Sequence, residues 1–280
     1  MQTRPFRSAL YIPGSKDRAL DKARGLSVDV SLFDLEDAVA PDAKVEARST
    51  LADALAQGGY GPRLKIVRMN GLDTDWGSDD AAAIAAMDCD AVLLPKVNSV
   101  ADLDALAALI PDLPIWAMME TPQGILNAAS IAAHPRMAGF VLGTNDLAKD
   151  LNARGRAAMV TSLQLCVLAA KAAGIVVLDG VYNAFKDDEG LRAECAQGRD
   201  MGFDGKTLIH PAQIAISNAA FGPSAEDIDL ARRQIAAFDA AAAEGQGVAV
   251  VDGRIVENLH IVTARATLAK AEAITALETT

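Results

Sequence analysis

The sequence predicts an α/β fold, a (β/α)8 TIM barrel with a small C-terminal helical and hairpin extension. Short β-branched or apolar runs alternate with Ala/Leu-rich stretches whose apolar residues recur at i, i+3, i+4, the signature of βα units on a parallel sheet. Eight such units fit in about 220 residues, and a barrel of about 250 residues folds as one domain. No GxGxxG follows any strand, which weakens the alternative of an open dinucleotide-binding sheet.

In chain order the expected strands are 8–12, 30–35, 64–69, 91–94, 115–119, 139–142, 175–178 and 207–209. Between them lie helical stretches such as SKDRALDKARGL, KVEARSTLADALAQ, SVADLDALAALI, TSLQLCVLAAKAAG and EGLRAECAQGRDMG. After Pro211 the pattern changes. SAEDIDLARRQIAAFDAAAAEGQG reads as a helix opened by Ser224, with Glu226 and Asp227 in the first turn where the macrodipole favours acids. VAVVDGRIV reads as a hairpin around Asp252-Gly253, and IVTARATLAKAEAITAL as a last helix. The expected division is a barrel over 1–222, carrying the site, and an extension over 223–280 packing across the barrel mouth or on a neighbouring subunit.

The chain has 280 residues, 51% hydrophobic and 22% charged, enough apolar material for a sizeable core. With 26 basic and 37 acidic residues the formal charge is −11, which leaves no electrostatic footprint for nucleic acid or an anionic membrane. An anionic ligand therefore needs a local cluster of Lys and Arg. No window approaches 18 apolar residues free of charge, and the N-terminus has no long apolar run, so neither a membrane span nor an ordinary export signal is expected. Three scattered cysteines without CxxC point to a reduced, cytoplasmic protein. The three histidines share no ligand spacing, so any metal falls to carboxylates.

In a barrel of this kind the chemistry sits where strands end and βα loops begin. Those ends read Tyr11 to Lys16, Asp34-Leu35-Glu36-Asp37, Arg68-Met69-Asn70, Pro95-Lys96, Glu120-Thr121-Pro122, Gly143 to Leu147, Asp179-Gly180 and His210-Pro211. Ser15 to Asp17 and Asp42 also suit helix capping, His210 a structural role, and Lys96 simple pairing with a strand-end acid. Glu36, Asp37, Glu120 and Asp146 are harder to explain that way, because converging carboxylates repel unless a cation or Arg68 relieves them. Magnesium suits the set, since it takes few carboxylates and keeps waters and substrate oxygens. Glu120 and Asp146, ending neighbouring strands, are the expected direct ligands. Glu36 and Asp37 would hold its waters, and Arg68 would face an oxyanion.

The stretches RSALYIPGSKDRALDKA, FDLEDAVAPDAKVEAR, VRMNGLDT, LLPKV, METPQGILNA, GTNDLAKDL, LDGVYNAFKDDEGL, GFDGKTLIHPAQI and VVDGRIVENL resemble the HpcH/HpaI aldolase and citrate lyase β-subunit family. They look most like its malyl-CoA lyases and thioesterases, over essentially the whole chain. The resemblance implies a Mg2+-dependent barrel acting on CoA thioesters and assembled as trimers or hexamers. It implies Glu120 and Asp146 as metal ligands, Arg68 as the electrophile on the thioester carbonyl, and Glu36 and Asp37 as its paired acids. It also implies CoA contacts from Tyr11, Lys16 and, by extension, Arg18 and Lys22. In the lyases a tail aspartate serves as acid/base from a neighbouring subunit; here Glu257 stands in its place, and GRIVENLH looks closer to the thioesterase branch. The expected substrate is (3S)-malyl-CoA or a close β-hydroxyacyl-CoA, hydrolysed to malate and CoA or cleaved to acetyl-CoA and glyoxylate. Two other readings share the barrel. A class II aldolase of a pyruvate-type 2-oxo acid leaves the Tyr11 to Lys22 patch without a purpose, and a silent CoA-binding subunit predicts lost ligands where Glu120, Asp146 and Arg68 are present.

Overall fold

The computed structural model describes residues 4–278. Eight parallel strands close into a barrel in sequential order: β1 (Ser8–Pro13), β2 (Val30–Asp34), β3 (Leu64–Arg68), β4 (Ala91–Leu94), β5 (Ile115–Met119), β6 (Met137–Leu142), β7 (Val176–Asp179) and β8 (Gly205–Leu208). β8 pairs with β1 to complete the ring. The strands β2, β4, β5, β7 and β8 are buried along their whole length, because helices cover the outer face while side chains fill the inner one. That double burial is why they read in the sequence as unbroken apolar runs. By contact the chain divides into a unit Phe6–Asn218, the barrel, and a second unit that comprises, among the described residues, 4–5 and 219–278.

The (β/α)8 expectation holds, with strand starts corrected: strand six begins at Met137, not at 139. Strand eight starts at Gly205, not at 207, so Lys206 lies in the strand. Val176 and Leu178 belong to the barrel interior, so Asp179 and its register partner Lys206 face the surrounding helices instead of the mouth. Both are fully buried there. The Lys206 ammonium reaches Asp179 at 3.0 Å and Glu194 at 2.6 Å, and Arg156 reaches the other Asp179 oxygen at 2.8 Å. These four charges balance in a seam between strands β7 and β8 and the helices outside them.

Among the described residues, Arg156–Ala173 is long and apolar enough on composition to cross a membrane. Here it includes a barrel helix (Val160–Ala173) that buries Leu163, Cys166, Val167, Ala169 and Ala170. In the second unit, Ser224 caps the helix Ala225–Ala243 through a capping box with Asp227. β9 (Ala249–Val251) and β10 (Arg254–Val256) form the expected hairpin, whose turn residues Asp252 and Gly253 both have positive φ, at 51° and 74°. The last helix spans Asn258–Glu278.

Breaking a buried ion pair from one side leaves an uncompensated charge, at a cost of about 3–5 kcal/mol. Lys206→Ala is therefore expected to lose roughly that much stability in urea unfolding, and a loss below about 1 kcal/mol would show that the seam carries no such weight.

Candidate active site

Strand periodicity decides which side chains enter the mouth. The interior of the barrel is filled by residues including Ala9, Leu32, Ile66, Met118 and Val141. Two residues further along the same strands or just past their ends, on the same face, stand Tyr11, Asp34, Arg68, Glu120 and Gly143. They form the layer directly above the apolar core. All five line one cavity of about 290 Å³, together with Asp37, Met118, Asn145, Asp146, Asn183 and Ile209 among others. Every lining residue comes from the barrel unit.

The centre of this layer is the pair of Asp34 and Arg68, direct register partners on β2 and β3. Arg68 donates from Nε and Nη2 to the two Asp34 oxygens at 2.7 and 2.6 Å. Asp34 also accepts from the backbone N–H groups of Glu36 and Ala38, so its carboxylate is saturated and the loop bearing Glu36 and Asp37 is tied to it. The Nη1 of Arg68 donates to Asp37 at 3.2 Å and lies 2.8 Å from Glu36 Oε2. The guanidinium rests over the Tyr11 ring, 4.8 Å from its centroid. Burial works against the charge of Arg68, yet Tyr11, Asp34 and Glu36 outweigh it and hold its pKa above the ordinary range.

Lys44 braces the same loop from below. Its buried ammonium donates to the carbonyls of Leu35 and Glu36 and to Asn70 Oδ1, at 3.1, 2.8 and 2.7 Å. Glu36 is thereby held in a buried place where its Oε2 has the Arg68 ion pair but no aligned hydrogen bond. Burial, opposed by Arg68 and reinforced by Asp37, pushes its pKa up to about 7.

Glu120 is 3% exposed and accepts the backbone N–H of Lys96 at 2.8 Å. Gly143 makes its position possible, since a Cβ there would stand 2.4 Å from Glu120 Oε2. Burial raises the Glu120 pKa to about 8 against that one hydrogen bond, and the fields of Glu36 and Asp146 add to the rise. Asp146 lies in the first turn of the helix Thr144–Asp150 that follows β6. Among the described residues no three His, Cys, Asp or Glu side chains gather into a metal cage. The two carboxylates, with Glu36 nearby lacking an aligned donor on Oε2, fit a hard cation that takes most of its oxygens from water or substrate, as magnesium does.

The structure thus brings Tyr11, Glu36, Asp37, Arg68, Glu120 and Asp146 together. Lys16, Arg18 and Lys22 lie apart from that layer: Lys16 precedes the helix Asp17–Ala23, Arg18 and Lys22 share one of its faces, and all three are exposed. Lys16 makes no side-chain cap, so the capping role considered for this segment is not what the structure shows. His210 does cap, accepting the Ala212 N–H on Nδ1. Glu257 belongs to the second unit, is exposed, and precedes the last helix. Sequence reasoning missed Asp34 as the anchor of Arg68, and Lys44 as the brace. Alternation could have found the first, because Leu32 and Asp34 of LFDLED share a face.

The family model for HpcH/HpaI aldolase/citrate lyase matches residues 7–211. The chain belongs to that family. Along 278 residues it is 66% identical to the (3S)-malyl-CoA thioesterase of Cereibacter sphaeroides, covering 98% of both chains. The L-malyl-CoA/beta-methylmalyl-CoA lyase of the same species is 34% identical over 98% of this chain and 96% of its own. The structure of the family member CitE from Mycobacterium tuberculosis in complex with magnesium, acetoacetate and coenzyme A superposes with a TM-score of 0.81 at 30% identity, covering 97% of this chain and all of that one. Members of this family are enzymes, and the layer built on Asp34 and Arg68 is where its barrel presents its ionisable groups.

The folded protein keeps a proton on Glu120 that the unfolded chain releases above about 4.5, so its contribution makes stability fall as pH rises from there through about 8. Without divalent cations, Glu120→Gln is expected to be the more stable protein at pH 9 by on the order of 1–3 kcal/mol, and nearly equal to wild type at pH 4. Urea unfolding in chelator at the two pH values measures it; a pH-independent difference would contradict the assignment.

Proposed function

We propose that this protein is a Mg2+-dependent malyl-CoA thioesterase, which hydrolyses (3S)-malyl-CoA or a close β-hydroxyacyl-CoA to the free acid and CoA. The observation that carries the choice of hydrolysis is the 66% identity, from end to end, with the (3S)-malyl-CoA thioesterase. Retro-aldol cleavage to acetyl-CoA and glyoxylate is the second reading, favoured by the 34% identity to the lyase. The replacement of the expected tail aspartate by Glu257 weighs for hydrolysis, because a carboxylate displaced by about 1 Å can cost ~100-fold in a positioned proton transfer.

Glu120 and Asp146 would hold the magnesium, with Glu36 and Asp37 beside them. The ion supplies Lewis acidity toward the oxygens of the acyl chain. Arg68 uses three of its N–H groups on Asp34 and Asp37, turns Nη1 toward Glu36 as well, and would offer its remaining Nη2 N–H to the substrate. That donor stabilises the negative charge that grows on the thioester oxygen as water adds to the carbonyl carbon. Its position is fixed before the substrate arrives, since Asp34 cannot turn without losing four hydrogen bonds. Glu257 takes the proton from the attacking water, the C–S bond breaks as the carbonyl re-forms, and Glu257 gives that proton to the departing CoA thiolate. The exposed Lys16, Arg18 and Lys22 give the CoA phosphates a basic patch on an acidic protein, and Tyr11 closes the cavity floor under Arg68.

We further read the protein as a cytoplasmic homo-oligomer, a trimer or hexamer, whose extension packs on a neighbouring subunit and brings Glu257 to the site. The three free cysteines support the compartment. The exposed Val250, Ile255, Leu259 and Val262 of the second unit support the assembly, since a monomer rarely leaves so many large apolar side chains in water on one small unit.

Purified protein incubated with malyl-CoA and Mg2+ is expected to yield malate and free CoA, and chelator is expected to stop it. Glu120→Ala, Asp146→Ala and Arg68→Ala should each lower kcat/KM by about 100-fold or more. Glyoxylate with acetyl-CoA as the main products would move the assignment to cleavage, and no turnover of either kind would remove this substrate.

A further inference from the structure

We propose that Lys96 is a specificity-determining residue, whose ammonium takes a carboxylate carried by the acyl chain and so selects acidic over neutral acyl thioesters; the inference rests on the thioester reading above.

Lys96 follows the end of β4 with φ at +52°, a left-handed conformation that is strained for any residue but glycine. Its backbone explains the conformation. The Lys96 N–H donates to Glu120 Oε1 at 2.8 Å, and its carbonyl accepts from Asn98 Nδ2 at 3.0 Å. Glycine would supply the same N–H and carbonyl without strain, so the backbone role does not account for a long cationic side chain at this position.

The side chain is not structurally engaged. Lys44 satisfies its three donors within the protein, and Lys206 makes two close ion pairs. Lys96 is 57% exposed, and its only ion pair among the described residues is a contact of 4.0 Å with Glu36 Oε1. Such an exposed pair at the limit of contact contributes little to stability. An ammonium this exposed keeps its charge at any working pH, and it stands within 4.0 Å of Glu36.

The mouth needs such a group. It gathers Asp34, Glu36, Asp37, Glu120 and Asp146 on the protein side, and an acyl chain with its own carboxylate enters against that charge. Arg68 is largely committed to Asp34, Glu36 and Asp37. Lys96 stands outside the cavity lining but beside Glu36 and Glu120, and among the described cations near the site its ammonium is the least engaged, on a stem long enough to follow the ligand.

The test uses the Mg2+-loaded enzyme and two thioesters of one frame, malyl-CoA and 3-hydroxybutyryl-CoA, in which a methyl replaces the carboxylate. Turnover of malyl-CoA by wild type tests the thioester reading by itself. Lys96→Met is then expected to weaken malyl-CoA by about 10–100-fold, chiefly in KM, and to leave the inhibition constant of 3-hydroxybutyryl-CoA within about threefold. Lys96→Arg should recover most of the loss. Malate affinity by calorimetry should fall at least tenfold in Lys96→Met, a readout independent of turnover. Lys96→Gly keeps the N–H to Glu120 and relieves the strain, so it should match Lys96→Met in selectivity with no lower Tm, and it serves if the methionine variant folds poorly. Equal weakening of both thioesters, or unchanged malate affinity, would overturn the proposal.

Discussion

The mouth of this barrel depends on one buried ion pair, Asp34 with Arg68. Isolated, either charge would cost several kcal/mol to bury at the end of a strand ring. Together, in a two-pronged contact at 2.7 and 2.6 Å, they supply each other's partners and hold a guanidinium in one orientation over the Tyr11 ring. The same carboxylate takes the N–H groups of Glu36 and Ala38, so the pair also sets where the β2 loop leaves the barrel. The barrel register makes this possible by placing Asp34 and Arg68 side by side.

Around that fixed point the carboxylates are in excess. Glu36 and Glu120 are buried with too few donors, and their pKa values of about 7 and 8 express the cost of ionising there without a cation. An arrangement of this kind is stable in its charged form only with a partner, and a hard divalent ion with an anionic oxygen ligand is such a partner. The cations of the barrel then differ by how far their donors are used. Lys44 is spent on the β2 loop, Lys206 on the seam outside the ring, and Lys96 is left over the opening.

The family resemblance and the site geometry support each other from different sides. Similarity along the whole chain gives the family, while the structure shows how residues at alternate positions on successive strands come to stand in one layer. The second unit carries Glu257 and, among its described residues, the exposed apolar side chains Val250, Ile255, Leu259 and Val262.

The sequence by itself determined the strands and their order, because strands buried on both faces must be apolar throughout and are bounded by polar loops. It determined most of the mouth as well, since Glu36, Asp37, Arg68, Glu120 and Asp146 all stand at or just past strand ends, where a barrel presents its chemistry. It could not separate side chains that enter the mouth from those that face the helices, because that depends on a register of one residue. Asp179 at the end of β7 looked like a mouth acid and instead pairs with Lys206 outside the ring, while Asp34, the last residue of β2, anchors Arg68, a role its place at a strand end did not reveal. Nor could it show that Lys96 adopts a left-handed backbone or that Gly143 admits Glu120, because both follow from close approach between loops far apart in the chain. Composition and periodicity are local properties, whereas the partners that give these charges their roles are chosen only when the ring closes.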